Sequence, residues 1–116
     1  MSAWILVVDD DPGTREALAA ILTRAGYRVA PWDGAAGVEV AAAGRPFRLA
    51  LVDYHLPGGT GLEVARRLKA LAPDCRVILM SSEVPEEVSG LIDAFLRKPF
   101  SKGNLLSLVK RLWPAP

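Results

Sequence analysis

The sequence predicts an α/β domain, a parallel β-sheet with helices on both faces. Three observations predict it. Short apolar runs alternate with helical patterns five times along the chain. The first run, "WILVVD" (4–9), is apolar on both faces, as a strand covered on both sides must be. The 116 residues are 51% hydrophobic, enough for one core and too few for two. Alternation of this kind packs as strands side by side with helices above and below. Right-handed crossovers are expected throughout.

The elements follow in order. After strand 4–9, Asp11 suits an N-cap and Pro12 the first helical position. Leu18, Ile21, Leu22 and Ala25 recur at helical spacing, and Gly26 is the stop. "YRVAPW" (27–32) reads as a weaker strand. Its Pro31 lacks a ladder donor, so the strand ends there or lies at an edge. Asp33 is a candidate cap for an alanine-rich helix over 34–43. "FRLALVD" (47–53) is the next strong strand, and "HLPGGTG" (55–61) reads as loop. A helix over 62–72 puts Val64, Ala65, Leu68 and Leu71 on one side and Arg66, Arg67 and Lys69 on the other, until Pro73 ends it. "RVILMS" (76–81) and the brief "AFLRK" (94–98) complete five strands. Ser101 caps a last helix whose stripe is Leu105, Leu108, Val109 and Leu112.

Composition narrows the function classes. The net charge is +1, from 14 basic and 13 acidic residues, so no field for nucleic acid or membrane is expected. No apolar run approaches the ~20 residues of a membrane span. The N-terminus lacks the basic start of a secretion signal. Cys75 is the single cysteine, so no internal disulfide forms and a reduced, cytoplasmic setting is expected. Cys75 is given no catalytic role.

Chemistry collects where the strands end. In an open α/β sheet, ligands bind beyond the carboxyl ends of the strands. Those ends carry Asp9, Asp10 and Asp11, then Asp53, then Ser81 and Ser82, then Lys98. Three adjacent carboxylates repel one another unless something positive sits among them. Mg²⁺ fits, because it takes hard oxygen ligands, one or two carboxylates among them. A lysine neutralises the remaining charge, a serine hydroxyl holds a phosphoryl oxygen, and a spare aspartate can act as nucleophile.

"ILVVDDDP", "LVDYHLPGGTG", "VILMSS" and "LRKPF", in this order, resemble the receiver domain of two-component response regulators. The resemblance runs from Ile5 to about Leu112. It implies a single-domain flavodoxin-like (βα)5 fold, doubly wound, over 1–116, with no output domain. It implies that Asp53 is the phosphoacceptor and that Asp10 binds Mg²⁺ directly. Asp9 then helps through water, and the backbone carbonyl of His55 is a further ligand. It also implies that Lys98 pairs with the phosphoryl group and precedes a cis bond to Pro99. Ser81 becomes the switch hydroxyl and Phe95 the switch aromatic. His55 and Glu83, two residues after Asp53 and Ser81, fall where the family tunes phosphoryl lifetime. The implied function is a phosphoacceptor switch, not an enzyme in the ordinary sense. It takes a phosphoryl group from a histidine kinase or phosphotransfer protein, and its changed surface is read by a downstream protein.

The chain departs from the family between Ser81 and Lys98, where "SEVPEEVSGLIDAFLR" is about one helical turn short. Pro85 and Gly90 leave room only for a short or irregular fourth helix. Two other functions stay open. Asp9-Asp10-Asp11 also reads as the D-x-D of a small Mg²⁺-dependent aspartyl phosphohydrolase, in which Asp9 carries the phosphoryl group. A receiver-like binding module that signals without phosphorylation is the other. No Gly-rich phosphate loop is present. Trp113 is a candidate partner anchor.

Overall fold

The computed structural model describes residues 3–83 and 90–113. Its elements run β1 (Trp4–Val8), α1 (Pro12–Arg24), β2 (Arg28–Trp32), α2 (Val38–Ala42), β3 (Phe47–Asp53), β4 (His55–Leu56), β5 (Gly59–Thr60), α3 (Gly61–Leu71), β6 (Arg76–Ser81), β7 (Ala94–Arg97) and α4 (Lys102–Leu112). Five strands form one sheet in the order β2-β1-β3-β6-β7, every neighbouring pair parallel. From β1 the chain steps outward to β2, then crosses back to β3 on the other side. The strand order therefore reverses between β1 and β3, which opens a crevice beyond their carboxyl ends.

The apolar strands bury both faces. Ile5 and Val7 of β1, with Leu49 and Leu51 of β3, pack on Leu18 and Leu22 of α1 and on Leu105 and Val109 of α4. Leu6, Val8, Ala50 and Val52 point the other way, onto Val38 of α2 and Val64, Ala65 and Leu68 of α3. Period-two alternation thus feeds two cores from one strand. Trp113 closes the first core at 7% exposure, its ring centroid 5.1 Å from that of Tyr27. Burial withdraws it as an exposed anchor.

Local signals account for most element ends. Asp11 accepts from the backbone N–H of Thr14 and caps α1, and Pro12 opens the helix. Gly26 follows its end with φ 98°. Ser101 caps α4 in the same way, through the N–H of Asn104. Pro31 lies in β2, which is an edge strand.

Three expectations change. The helix expected over 34–43 is only Val38–Ala42, and its N-cap is Gly37 at φ 70°, not Asp33. The left-handed turn at Gly37 stops the helix from starting earlier, and the indole N–H of Trp32 donates to the Ala36 carbonyl in the loop before it. The 55–61 loop contains a small antiparallel ladder, His55 with Thr60 and Leu56 with Gly59. Pro57-Gly58 turns it, and Gly58 at φ 83° takes the conformation a type II turn demands at its third position. Leu71, expected on the apolar side of α3, is 53% exposed at the helix end. The short or irregular fourth helix expected after Ser81 falls mainly on residues 84–89, outside the described residues.

Candidate functional site

The three-aspartate turn at the end of β1 resolves into three different environments. Asp11 turns away to cap α1, accepting from the Thr14 N–H at 2.9 Å and its hydroxyl at 2.6 Å. Those two bonds, the hydroxyl's first, hold its carboxyl below the usual range. Asp9 is fully buried. Its Oδ1 accepts from the Asp11 N–H at 3.0 Å and its Oδ2 from Lys98 Nζ at 3.1 Å. Its backbone N–H donates to Trp32 at 3.1 Å, and its carbonyl accepts from Arg15 Nη1 at 2.8 Å. Asp10 is exposed.

Asp53 enters from β3, one strand away. Lys98 Nζ, carried past the end of β7, lies 3.3 Å from Asp53 Oδ2 as well as 3.1 Å from Asp9. Lys98-Pro99 is a cis bond. Burial raises the pKa of Asp53; the Lys98 charge opposes this and the Asp9 charge adds to it. Burial pulls the Lys98 ammonium down, but the hydrogen bond and charge of Asp9, with the charge of Asp53, outweigh it and its pKa is raised. One ammonium between two carboxylates answers part of the repulsion among the acids.

The donor set also suits a hard divalent cation. One carboxylate oxygen from each of Asp9, Asp10 and Asp53 lies within 4.8 Å of the others. Oxygens on opposite sides of Mg²⁺ stand about 4.2 Å apart, given bonds of ~2.0–2.1 Å. Asp10 and Asp53 have oxygens to offer, whereas both oxygens of Asp9 already have donors.

The remaining expected residues lie further out. Ser81 is buried one residue past Met80, the register partner of Asp53, and its Oγ accepts from the Glu83 N–H at 3.3 Å. Its carbonyl accepts from the Lys98 N–H at 2.8 Å. Phe95 pairs with Leu79 in the sheet and is half-buried, beside a cleft that Arg97, Asn104, Leu108 and Arg111 also line. His55 is exposed, its ring set edge-on to Tyr54 with centroids 4.8 Å apart. Among the described residues neither His55 nor Glu83 makes a side-chain bond to the acids or Lys98. A second cleft, lined by Asp11, Thr14, Ile21, Ser82, Lys98 and Phe100, opens beside the lysine.

Sequence reasoning passed over Arg15 and Gly61. Arg15 is at the position where a first-turn helix residue can reach back to the preceding strand end. Gly61 has no local signal, since what makes it matter is the backbone it touches. No described helix is long and apolar enough to cross a membrane.

Comparison with known proteins agrees with the fold. Residues 5–110 match the family model described as the response regulator receiver domain. The response regulator MprA of Mycobacterium ulcerans (strain Agy99) is 39% identical over 118 residues, which is 97% of this chain and 50% of that protein. The chain spans about half the length of the curated relatives it matches. The chemotaxis protein CheY4 of Vibrio cholerae shares the fold at TM-score 0.88 and 23% identity, over 97% of this chain and 99% of that one. The response regulator protein TrrA of Thermotoga maritima, solved with Mg²⁺-BeF, superposes at TM-score 0.85 with 29% identity, over 95% and 98% of the two chains. TrrA solved with the histidine kinase ThkA gives TM-score 0.83 and 28% identity, over 96% and 98%.

Proposed function

This chain belongs to the response regulator receiver domain family, whose members are signalling switches, and on that premise we propose that Asp53 is its phosphoacceptor. The observation that carries the assignment is the Lys98 ammonium 3.3 Å from Asp53 Oδ2, at the carboxyl edge of the sheet, with Asp9 and Asp10 alongside. The donor is a phosphohistidine of a histidine kinase or phosphotransfer protein, the class of partner with which TrrA was solved. An Asp53 carboxylate oxygen attacks phosphorus in line, the new O–P bond forms and the N–P bond to the donor histidine breaks. Lys98 offsets charge on the transferred group, and positioning carries most of the rate. Asp10, Asp53 and the His55 backbone carbonyl, with Asp9 near, would hold Mg²⁺, which would supply positive charge to the phosphoryl oxygens. The Ser81 hydroxyl then turns to a phosphoryl oxygen and Phe95 shifts with it, changing the surface a downstream protein reads. Attack by water resets the switch, at a rate His55 and Glu83 tune.

The hydrolase alternative needs Asp9 as nucleophile. Its complete burial and its two bonded oxygens weigh against that. Intact mass after incubation with Mg²⁺ and acetyl phosphate tests the assignment. One added phosphoryl group on the native chain, lost without Mg²⁺ and lost in Asp53→Asn, supports it. An adduct that survives Asp53→Asn but not Asp9→Asn moves the chemistry to the first strand. No adduct under any condition, from acetyl phosphate or a phosphorylated kinase, leaves a binding module.

A further inference from the structure

Asp10 is the one member of the acidic turn whose carboxylate no described residue holds. It is exposed, and its carboxylate makes no hydrogen bond or ion pair with the described residues. Its direction therefore depends on its backbone. The peptide that carries the Asp10 nitrogen is the one whose carbonyl belongs to Asp9, and that carbonyl accepts from Arg15 Nη1 at 2.8 Å. Arg15 is itself anchored, because its backbone N–H donates to the Asp11 carbonyl at 2.9 Å in the first turn of α1. One residue thus bridges the peptides on either side of the turn. The other Asp9 bonds, to Trp32, the Asp11 N–H and Lys98, hold its nitrogen and side chain and leave the carbonyl to Arg15.

We propose that Arg15 is a positioning residue for the cation site: its guanidinium, fixed on the Asp9 carbonyl, sets the Asp9–Asp10 peptide so that the Asp10 carboxylate meets Mg²⁺ together with Asp53. This rests on the reading of Asp10 and Asp53 as ligands. Groups one bond removed from the ligands orient them, and losing such a group typically weakens metal binding by about 10–100-fold.

Arg15 also brings a positive charge to the neighbourhood of a cation. Charge alone predicts that removing it tightens Mg²⁺ binding. Positioning predicts the opposite sign, so the direction of the change separates the two.

The experiment is a Mg²⁺ titration of the whole chain at fixed ionic strength, read by tryptophan fluorescence and repeated by calorimetry. The variants are Arg15→Met, Arg15→Lys and Asp10→Asn, each checked by circular dichroism. The native chain should bind, and Asp10→Asn should lose most of that binding. Arg15→Met should bind about tenfold more weakly. Arg15→Lys keeps the charge and a donor for the carbonyl, and should recover most of the loss. Mg²⁺ binding by Arg15→Met as tight as native, or tighter, overturns the proposal while leaving the site intact. Equal weakening in folded Arg15→Lys and Arg15→Met overturns the carbonyl bond as its means. If Arg15→Met does not fold, Arg15→Ala takes its place, and Mg²⁺ binding there as tight as native, or tighter, overturns the proposal. A native chain that binds no Mg²⁺, or an Asp10→Asn variant that binds normally, overturns the ligand reading and this inference with it.

Discussion

Gly61→Ala would push a methyl group into the backbone that carries Asp53. A Cβ built on Gly61 comes within 2.5 Å of the Asp53 carbonyl oxygen, 2.8 Å of Leu79 Cδ1 and 3.0 Å of Tyr54 Cα. Ordinary contact begins at 3.4 Å, so the Asp53–Tyr54 peptide and α3 must separate by roughly 0.9 Å. They cannot part freely, because the Gly61 N–H donates to the Tyr54 carbonyl at 2.8 Å and Gly61 is buried. Overpacking of this kind costs about 1–3 kcal/mol. For 116 residues the unfolding entropy is about 0.24 kcal/mol/K, so the thermal midpoint should fall by about 4–12 °C. The same shift displaces Asp53 from Lys98. A misplacement near 1 Å can slow a reaction about 10²-fold, so phosphorylation by acetyl phosphate should slow by one to two orders of magnitude. Urea and thermal melts measure the first effect, and a time course of intact mass the second. Gly13→Ala is the control, since its Cβ meets nothing closer than Asp11 Oδ2 at 3.6 Å. At that helical position alanine should be neutral or stabilising by up to about 1 kcal/mol. A Gly61→Ala chain within about 0.5 kcal/mol of native, phosphorylated at the native rate, would refute the reasoning.

Three more outcomes follow from the charges. Lys98→Met leaves buried Asp9 and Asp53 without their cation and should cost about 2–3 kcal/mol, less than the ~3–5 of a fully buried pair because Lys98 is 25% exposed. Adding Asp53→Asn should return part of the loss in urea melts, and a double variant no more stable than Lys98→Met would count against the pairing. Burial, against Lys98 and with Asp9, raises the folded pKa of Asp53 above its unfolded value, so its ionised form opposes folding at neutral pH. Asp53→Asn should therefore raise the thermal midpoint at pH 7, with the gain shrinking as pH falls through the raised folded value and gone below the ordinary value of about 3.9; a midpoint lowered at pH 7 would contradict the sign. On the far side of the sheet, the Arg67 hydrogen bonds hold Glu39 at a pKa of about 2. That pair contributes above the unfolded value near 4.5 and is lost as pH falls through 2, so the midpoint difference between native and Glu39→Gln should close over that window. The pair is partly open to solvent, so 1 M salt should shrink the difference too.

Much of the molecule is written in signals that act within a few residues. Asp11-Pro12 starts α1 and Gly26 ends it because caps and left-handed turns act within one helical turn. Pro31 marks an edge strand because a residue without an N–H cannot serve a central ladder. The unbroken apolar run of β1 announced cover on both faces. From those elements the sheet rule put Asp9, Asp10, Asp53, Ser81 and Lys98 at one edge before any contact was known. The tertiary structure decided how those residues divide the work. Lys98 meets Asp9 across 89 positions, and no local pattern says that Asp9 rather than Asp10 receives it. Gly37 at φ 70° shortened α2, and the exposed end of α3 left Leu71 uncovered. Arg15 found the Asp9 carbonyl, and Gly61 came hard against the Asp53 carbonyl, only when α1 and α3 packed against the strand ends. Caps and periodicity are energies of neighbours along the chain, and are legible there. Which donor satisfies which buried oxygen is settled among groups the fold brings together, so it is legible only after folding.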